Sequence, residues 1–221
     1  MPSRFPPAEL AEPIGLVLIG GTLGPEWLLD AYRHGIFPWP IISGCRQVQW
    51  WSPDPRAIFE LDGFHVSRRL ERTCRSGRFR ITSDRDFSAV IRGCATAGAR
   101  ARATWLSREM IAAYQALFEL GHAHSIEVWR EDRLVGGTYG VAIGGLFAGE
   151  SMFHYERDAS KVALANLVSH LRQRGYRLFD IQELTPHTAS LGAIEVPRSE
   201  YLKRLTQAVD CPVTFGTLAT N

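Results

Sequence analysis

Residues 125–153 run SIEVWREDRLVGGTYGVAIGGLFAGESMF. Apolar and small residues fill three runs, 125–131, 133–143 and 146–153. The pairs Glu131-Asp132 and Gly144-Gly145 between them are tight-turn sequences. This predicts a three-stranded antiparallel meander. Downstream, Asp158 is the expected cap of an amphipathic helix that runs to Arg174 and ends at Gly175. Residues 176–183 then alternate as a strand, and 198–208 read as a last helix. Upstream, Ser67 caps a helix, 78–82 reads as a strand, and 84–95 and 107–120 read as helices, the second closed by Gly121. Helices, meander, helix, strand, helix is an α+β order with a mainly antiparallel sheet.

Ahead of this body lies a smaller N-terminal α/β layer, and the division is expected as 1–63 and 64–221. Pro25 opens a short amphipathic helix over 25–34, with Gly35 where a C-cap glycine belongs. The prolines of FPWPIISGCRQVQWWSPDPR (37–56) exclude regular helix over most of that run, leaving a long aromatic loop with a strand around 47–51. Its Trp39, Trp50 and Trp51 either glue the layer to the rest or line a site.

The chain has 221 residues, 45% hydrophobic and 22% charged, so a folded core is expected rather than a disordered tail. A net charge of +2 sets up no strong field toward nucleic acid. Lys161 and Lys203 are the sole lysines among 25 basic residues. Arginine's planar fork suits phosphates, although GC-rich coding gives the same bias. Cys45, Cys74, Cys94 and Cys211 form no CxxC pair and no zinc-finger spacing, and there is neither a leader pattern nor a run of about 18 apolar residues. A cytoplasmic protein with reduced thiols is expected, with no membrane span.

Chemistry is sought where the pattern is broken. In RLFDIQE (177–183), Asp180 and Gln182 are two apart and so fall on one strand face, opposite Phe179 and Ile181. Glu150 is a carboxylate in an apolar run, which either meets a cationic ligand group or pairs with an arginine. His122 and His124 have no third ligand at metal spacing, and no nucleophile elbow, GxxxxGK[ST] or HExxH motif occurs. No metal is expected.

The words GIFPW (35–39), WWSPDPR (50–56), GHAHSIEVW (121–129), LVGGTYG (134–140), GESMF (149–153) and HTASLG (187–192), in this order, resemble the leucyl/phenylalanyl-tRNA protein transferase family across about residues 5 to 210. The resemblance implies a GNAT-like acyltransferase C-terminal domain. It implies transfer of Leu or Phe, and sometimes Met, from aminoacyl-tRNA to acceptor proteins beginning with Arg or Lys, which marks them for degradation, without a cofactor and by a monomer. It implies an aminoacyl-adenosine pocket at Tyr32, Trp39, Trp105, Tyr114 and Glu150, and a side-chain pocket including Thr138, Leu167 and Leu171. Family members carry Met at the position of Thr138 and aromatic residues at those of Leu167 and Leu171, so a roomier pocket that takes Phe at least as well as Leu is expected here. The catalytic pair it implies is Asp180 and Gln182.

Such a transfer fits these residue types. The aminoacyl ester is already activated, so the protein has chiefly to position two substrates. Gln182 is no strong base. Its carbonyl oxygen accepts a hydrogen bond from the attacking amine while Asp180 is expected to hold its amide hydrogens. The acceptor's basic side chain needs an anionic partner, either Glu150 or Asp180. Arg68, Arg69, Arg72, Arg75, Arg78 and Arg80, with Arg100 and Arg102, form the densest basic stretch. They read either as phosphate contacts for tRNA, with Arg68, Arg72, Arg75, Arg78 and Arg80 foremost, or as a solvated face. Two other readings compete: an N-acetyltransferase using acetyl-CoA, which normally needs a glycine-rich pyrophosphate loop that 158–161 lacks, and a non-catalytic tRNA-binding module.

Overall fold

The computed structural model describes residues 3–40, 44–98 and 104–218. The expected meander forms the middle of a seven-stranded sheet: β6 (Ala123–Arg130), β7 (Arg133–Ile143) and β8 (Leu146–His154) pair antiparallel, and β5 (Arg80–Ser83) adds to β6. Helix α5 (Ala159–Arg174) then crosses over and returns the chain as β9 (Leu178–Gln182), parallel to β8, as a crossover of that length permits. Beyond β9 lie β4 (Arg56–Phe59) and β10 (Ala193–Val196), both antiparallel. The α+β class with a mainly antiparallel sheet is the class observed. β4 precedes residue 63 yet pairs inside the large sheet, so the larger sheet draws on chain ahead of the expected 63/64 division.

A second, three-stranded sheet runs β1 (Leu16–Ile19), β3 (Gln49–Trp51), β2 (Phe37–Pro38), beside α1 (Pro25–Arg33). Gly35 follows α1 at φ +74 and packs on Tyr201 and Leu202, leaving no room for a side chain.

The cap signals hold in most places. Ser67 accepts from Leu70 N at the start of α2 (Arg68–Arg75), and Ser107 accepts from Met110 N at the start of α4 (Arg108–Glu119). Helix α3 (Phe87–Thr96) starts at Asp86 rather than at Asp84, which instead accepts from Ser125 N. Asp158 precedes α5 in the left-handed region and makes no side-chain cap; its carboxylate takes Arg69 at 2.8 Å.

Helices α3 and α4 and the N-terminal layer cover one face of the large sheet, through Phe87, Ile91, Tyr114, Leu117, Tyr139 and Val141. Helix α5 covers the other, through Val162, Leu164, Leu167, Val168 and Leu171 on Ile126, Val128, Phe147 and Phe179. After α6 (Pro186–Ala189) and α7 (Arg198–Val209), the tail is fastened at Phe215. His124 stacks on its ring at 4.2 Å, and the carbonyl lies 2.8 Å from His170 Nε2. That stacking and the 2.7 Å contact of His124 Nδ1 with Asp84 give His124 a structural place. No cluster of possible metal ligands occurs among the described residues.

The β7–β8 register shifts between Tyr139 and Gly140, and a Cβ on Gly140 would press into the Ala148 carbonyl and the Phe147 ring. Gly140→Ala is therefore expected to cost about 1–3 kcal/mol. Urea unfolding should show a lower midpoint at unchanged slope, and an unshifted midpoint would mean that the strand gives way freely.

Candidate active site

Parallel strands β8 and β9 stay paired over only three positions, ending at Ala148 and Asp180. Past that point they part, and the gap is the mouth of a cleft of about 890 Å³. Gly149 lies at the split, where a Cβ would meet the Phe179 ring, and Gln182 ends β9 at φ +61, so its backbone leaves the strand's alternation. The cleft lining includes the rings of Phe37, Trp39, Phe59 and Trp105, with Thr138, Met152 and Phe153, and α5 contributes Ser160 and Leu164.

The three loop tryptophans divide by role. Trp50 and Trp51 are buried, their indoles donating to Gly20 O and Trp39 O, so both are glue. Trp39 is partly exposed and faces the cleft, fixed by Trp39 N donating to Gln49 O.

At the polar end, Tyr114 Oη donates to Glu150 Oε2 at 2.8 Å, and the Tyr32 hydroxyl lies 2.8 Å from that of Tyr114. Burial, then the neighbouring Glu150 carboxylate, pushes both phenols far up, so they remain protonated donors. Burial also pushes Glu150 up to about 7, against the lowering effect of hydrogen bonds from Tyr114 and Tyr32. Among the described residues no arginine bonds it; the structure pairs Glu150 with tyrosines and with Gln182.

The Gln182 amide can lie two ways. In one, Nε2 donates to Glu150 Oε1 at 3.3 Å while the amide oxygen abuts two backbone carbonyls. In the other, Nε2 donates to Ile181 O and Gly149 O, each at 2.9 Å, and the amide oxygen turns toward Glu150. The second makes two short bonds in place of one long one and removes an oxygen–oxygen clash, and a protonated Glu150 completes it.

Asp180 is arranged differently from the expectation. It is fully buried, and its oxygens accept from Arg56 Nε at 2.9 Å, Arg56 Nη2 at 2.6 Å, Tyr201 Oη at 2.9 Å and the main-chain N–H of Gln182 at 2.9 Å. It thus holds the Gln182 backbone and not its side-chain amide. The two residues share no cleft face, because the turn at Gln182 breaks the period of two. Burial works against the Arg56 cation, and the Asp180 carboxylate, together with Tyr201 and Glu150, more than offsets it.

Of the residues named from sequence, Trp39, Trp105, Thr138, Glu150 and Gln182 line the cleft together. Tyr32 and Tyr114 stand behind Glu150. Leu167 and Leu171 are in the core beneath α5, off the lining, where Leu164 stands instead. Arg68, Arg72, Arg75, Arg78 and Arg80 are all exposed. Arg75 pairs with Glu71, Arg78 with Glu156 and Arg80 with Asp132. Arg100 and Arg102 lie outside the described residues. Sequence reasoning missed Arg56 and Tyr201; the one signal was an arginine opening the apolar strand RAIF.

Residues 58–206 match the leucyl/phenylalanyl-tRNA protein transferase family, and residues 21–54 match the N-terminal domain of the same family. The chain belongs to the leucyl/phenylalanyl-tRNA protein transferase family. Proteins of that name from Syntrophotalea carbinolica and Thiobacillus denitrificans are each 50% identical to it, over 96% and 95% of this chain and 91% and 92% of theirs. One from Alkalilimnicola ehrlichii is 51% identical over 97% of this chain and 83% of its own. Among solved structures, a soil-metagenome aminoglycoside acetyltransferase aligns at 12% identity and TM-score 0.40, covering 60% of this chain and 89% of its own. A conserved protein of unknown function from Bacteroides thetaiotaomicron aligns at 13% and 0.44, covering 72% and 55%. Within the transferase family frame, the cleft just described is the candidate active site.

Because Glu150 is raised in the folded chain, its neutral form is the stabilised one. Its contribution is full below about pH 4.5 and is lost as pH rises through about 7. Relative to Glu150→Gln, the wild type should lose stability over that window. A pH-independent difference between the two unfolding free energies would contradict the burial of this carboxyl.

Proposed function

We propose that this chain transfers leucine or phenylalanine from charged tRNA to the α-amino group of proteins beginning with Arg or Lys, which marks them for degradation. The observation that carries this reading is the cleft itself: an aromatic and apolar lining, with the Gln182 amide oxygen and Glu150 at its polar end. Trp39 and Trp105 offer rings to stack the terminal adenine, and Thr138, Met152 and Leu164 surround the aminoacyl side chain. The acceptor amine attacks the ester carbonyl; an amide C–N bond forms as the ester C–O bond breaks. The amine gives up one proton and the departing ribose oxygen takes one.

An α-amine titrates near pH 8, so a usable fraction is already neutral, and Gln182 need only accept one of its hydrogens to aim it. Tyr32 and Tyr114 fix Glu150, the carboxylate that faces the cleft. With Asp180 enclosed, Glu150 is the carboxyl open to the acceptor's cation; because burial raises it to about 7, the arriving cation favours loss of the proton it shares with the Gln182 amide oxygen. We place the reaction in the cytoplasm, with a monomer as the active unit.

The basic face borders the same cleft. Arg69 reaches Asp158, and Arg78 and Arg130 reach Glu156, in the turn that joins the cleft residues His154 and Ser160. An acceptor arm lying there puts its phosphates over α2. Arg68 and Arg72 carry no ion pair among the described residues, so they are the freest for phosphate.

Incubation with radiolabelled Leu-tRNA or Phe-tRNA and acceptors beginning with Arg, Lys or Ala tests the reading. Label should enter the Arg and Lys proteins. Equal labelling of the Ala protein, or transfer of acetyl from acetyl-CoA, would speak for another reaction.

Two finer outcomes follow from the geometry. Leu164→Phe should fill the pocket and shift the kcat/KM ratio from Phe-tRNA toward Leu-tRNA by roughly 10-fold or more, whereas Leu167→Phe should chiefly disturb the core. An unchanged ratio in Leu164→Phe would move the side-chain pocket elsewhere. Reversing Arg68 and Arg72 to Glu should raise KM for tRNA and flatten its salt dependence by about two phosphate contacts. An unaltered salt slope would return α2 to an ordinary solvated face.

A further inference from the structure

Arg56 has every donor group of its fork committed. Nε and Nη2 hold both oxygens of Asp180 at 2.9 and 2.6 Å, and Nη1 donates to Gly35 O at 3.0 Å. Its guanidinium lies between the rings of Phe37, at 4.7 Å, and Tyr201, at 4.5 Å. The side chain is 1% exposed, so it touches no substrate. It joins two parts of the cleft that are far apart in sequence: Gly35 and Phe37 carry the chain into the Trp39 wall, and Asp180 grips the main-chain N–H of Gln182.

Resting on the transfer reading above, we propose that Arg56 is a positioning residue, which through Asp180 holds Gln182 in its left-handed conformation and through Gly35 and Phe37 sets the Trp39 wall opposite it. A left-handed non-glycine residue is sparsely populated by itself and persists where surrounding bonds over-determine it. Beside the β4–β9 register that sets Ala57 against Gln182, the main-chain N–H of Gln182 is held by Asp180 Oδ1. That oxygen is fixed in turn by Arg56 Nε. Lysine at position 56 keeps the charge but presents one nitrogen, which cannot meet two carboxylate oxygens and a carbonyl in the planar arrangement of the fork. Asp180, with its oxygens engaged by four donors, acts as the anchor and takes no proton from the amine.

The test is a double-mutant cycle on single-turnover transfer using Arg56→Lys, Gln182→Ala and the pair, with circular dichroism and thermal melting to verify folding. Arg56→Lys should lower the transfer rate roughly 10- to 100-fold, the scale of an ångström misplacement, and raise KM for aminoacyl-tRNA. At saturating aminoacyl-tRNA the same change in the Gln182→Ala background should lower the rate by less than about 2-fold, because sites acting through one another are not additive, while the rise in KM set by the Trp39 wall persists. Tyr201→Phe, a milder change that removes one donor from Asp180, should show a smaller rate loss with the same non-additivity, and it serves if Arg56→Lys fails to fold. Rate factors that multiply, or a Gln182→Ala enzyme with full activity, would overturn the proposal. Amide hydrogen exchange at Gln182 reads the same coupling without any transfer: it should quicken in Arg56→Lys and in Tyr201→Phe. Unchanged exchange would sink the positioning role even if transfer stands, and quickened exchange in a chain that transfers nothing would sink only the reaction.

Discussion

The bidentate ion pair between Arg56 and Asp180 is the constraint on which the rest of the site depends. Both partners are buried, and a buried pair survives only when its remaining donors and acceptors are satisfied. Here they are, by Tyr201, Gly35 O and the Gln182 N–H. Loss of one partner would leave an uncompensated charge, at a cost of about 3–5 kcal/mol. The pair therefore fixes where β4 meets β9, how α7 packs on them, and where the N-terminal layer enters.

From that fixed point the cleft follows by simple geometry. β8 and β9 hold together for three residue pairs and then diverge, so the sheet opens a slot at one end of an otherwise continuous surface. α5 closes its far side and the loop carrying Trp39 closes the near one. The chemistry such a slot supports is positioning: an activated ester and an amine need little more than a common place, an oriented hydrogen bond and a suitable charge nearby. The neutral Gln182 amide and the tyrosine-held Glu150 meet those needs without a strong base.

Much of the fold was legible in the chain. Periodicity and capping marked the meander, α2, α4, α5 and α7 within a few residues, because each buries one face and ends in Ser, Asp or Gly. The strands that escaped, β1, β2, β4 and β10, have four residues or fewer, too few to display a period, and their pairing partners lie far away in sequence. The site was legible in part. Gln182 and Glu150 were found because polar residues interrupt patterned runs, and Thr138, Trp39 and Trp105 through the family resemblance. The grip on Asp180 was not, since its partner Arg56 is 124 positions distant. The alternation argument also failed at Gln182, where a left-handed residue resets which way the side chain points. Leu167 and Leu171 share a helix face with Leu164, but only the first turns of α5 reach the open end of the sheet, and sequence cannot say how far along a helix a cleft extends.

A crystal structure with an aminoacyl-adenosine in which an amide replaces the reactive ester tests directly where the two substrates meet. The base should lie on Trp39 or Trp105, the amino-acid side chain should reach Leu164 and Thr138, and the carbonyl should lie near the Gln182 amide oxygen and Glu150. A ligand bound elsewhere, or one reversed so that the base meets Gln182, would contradict the account.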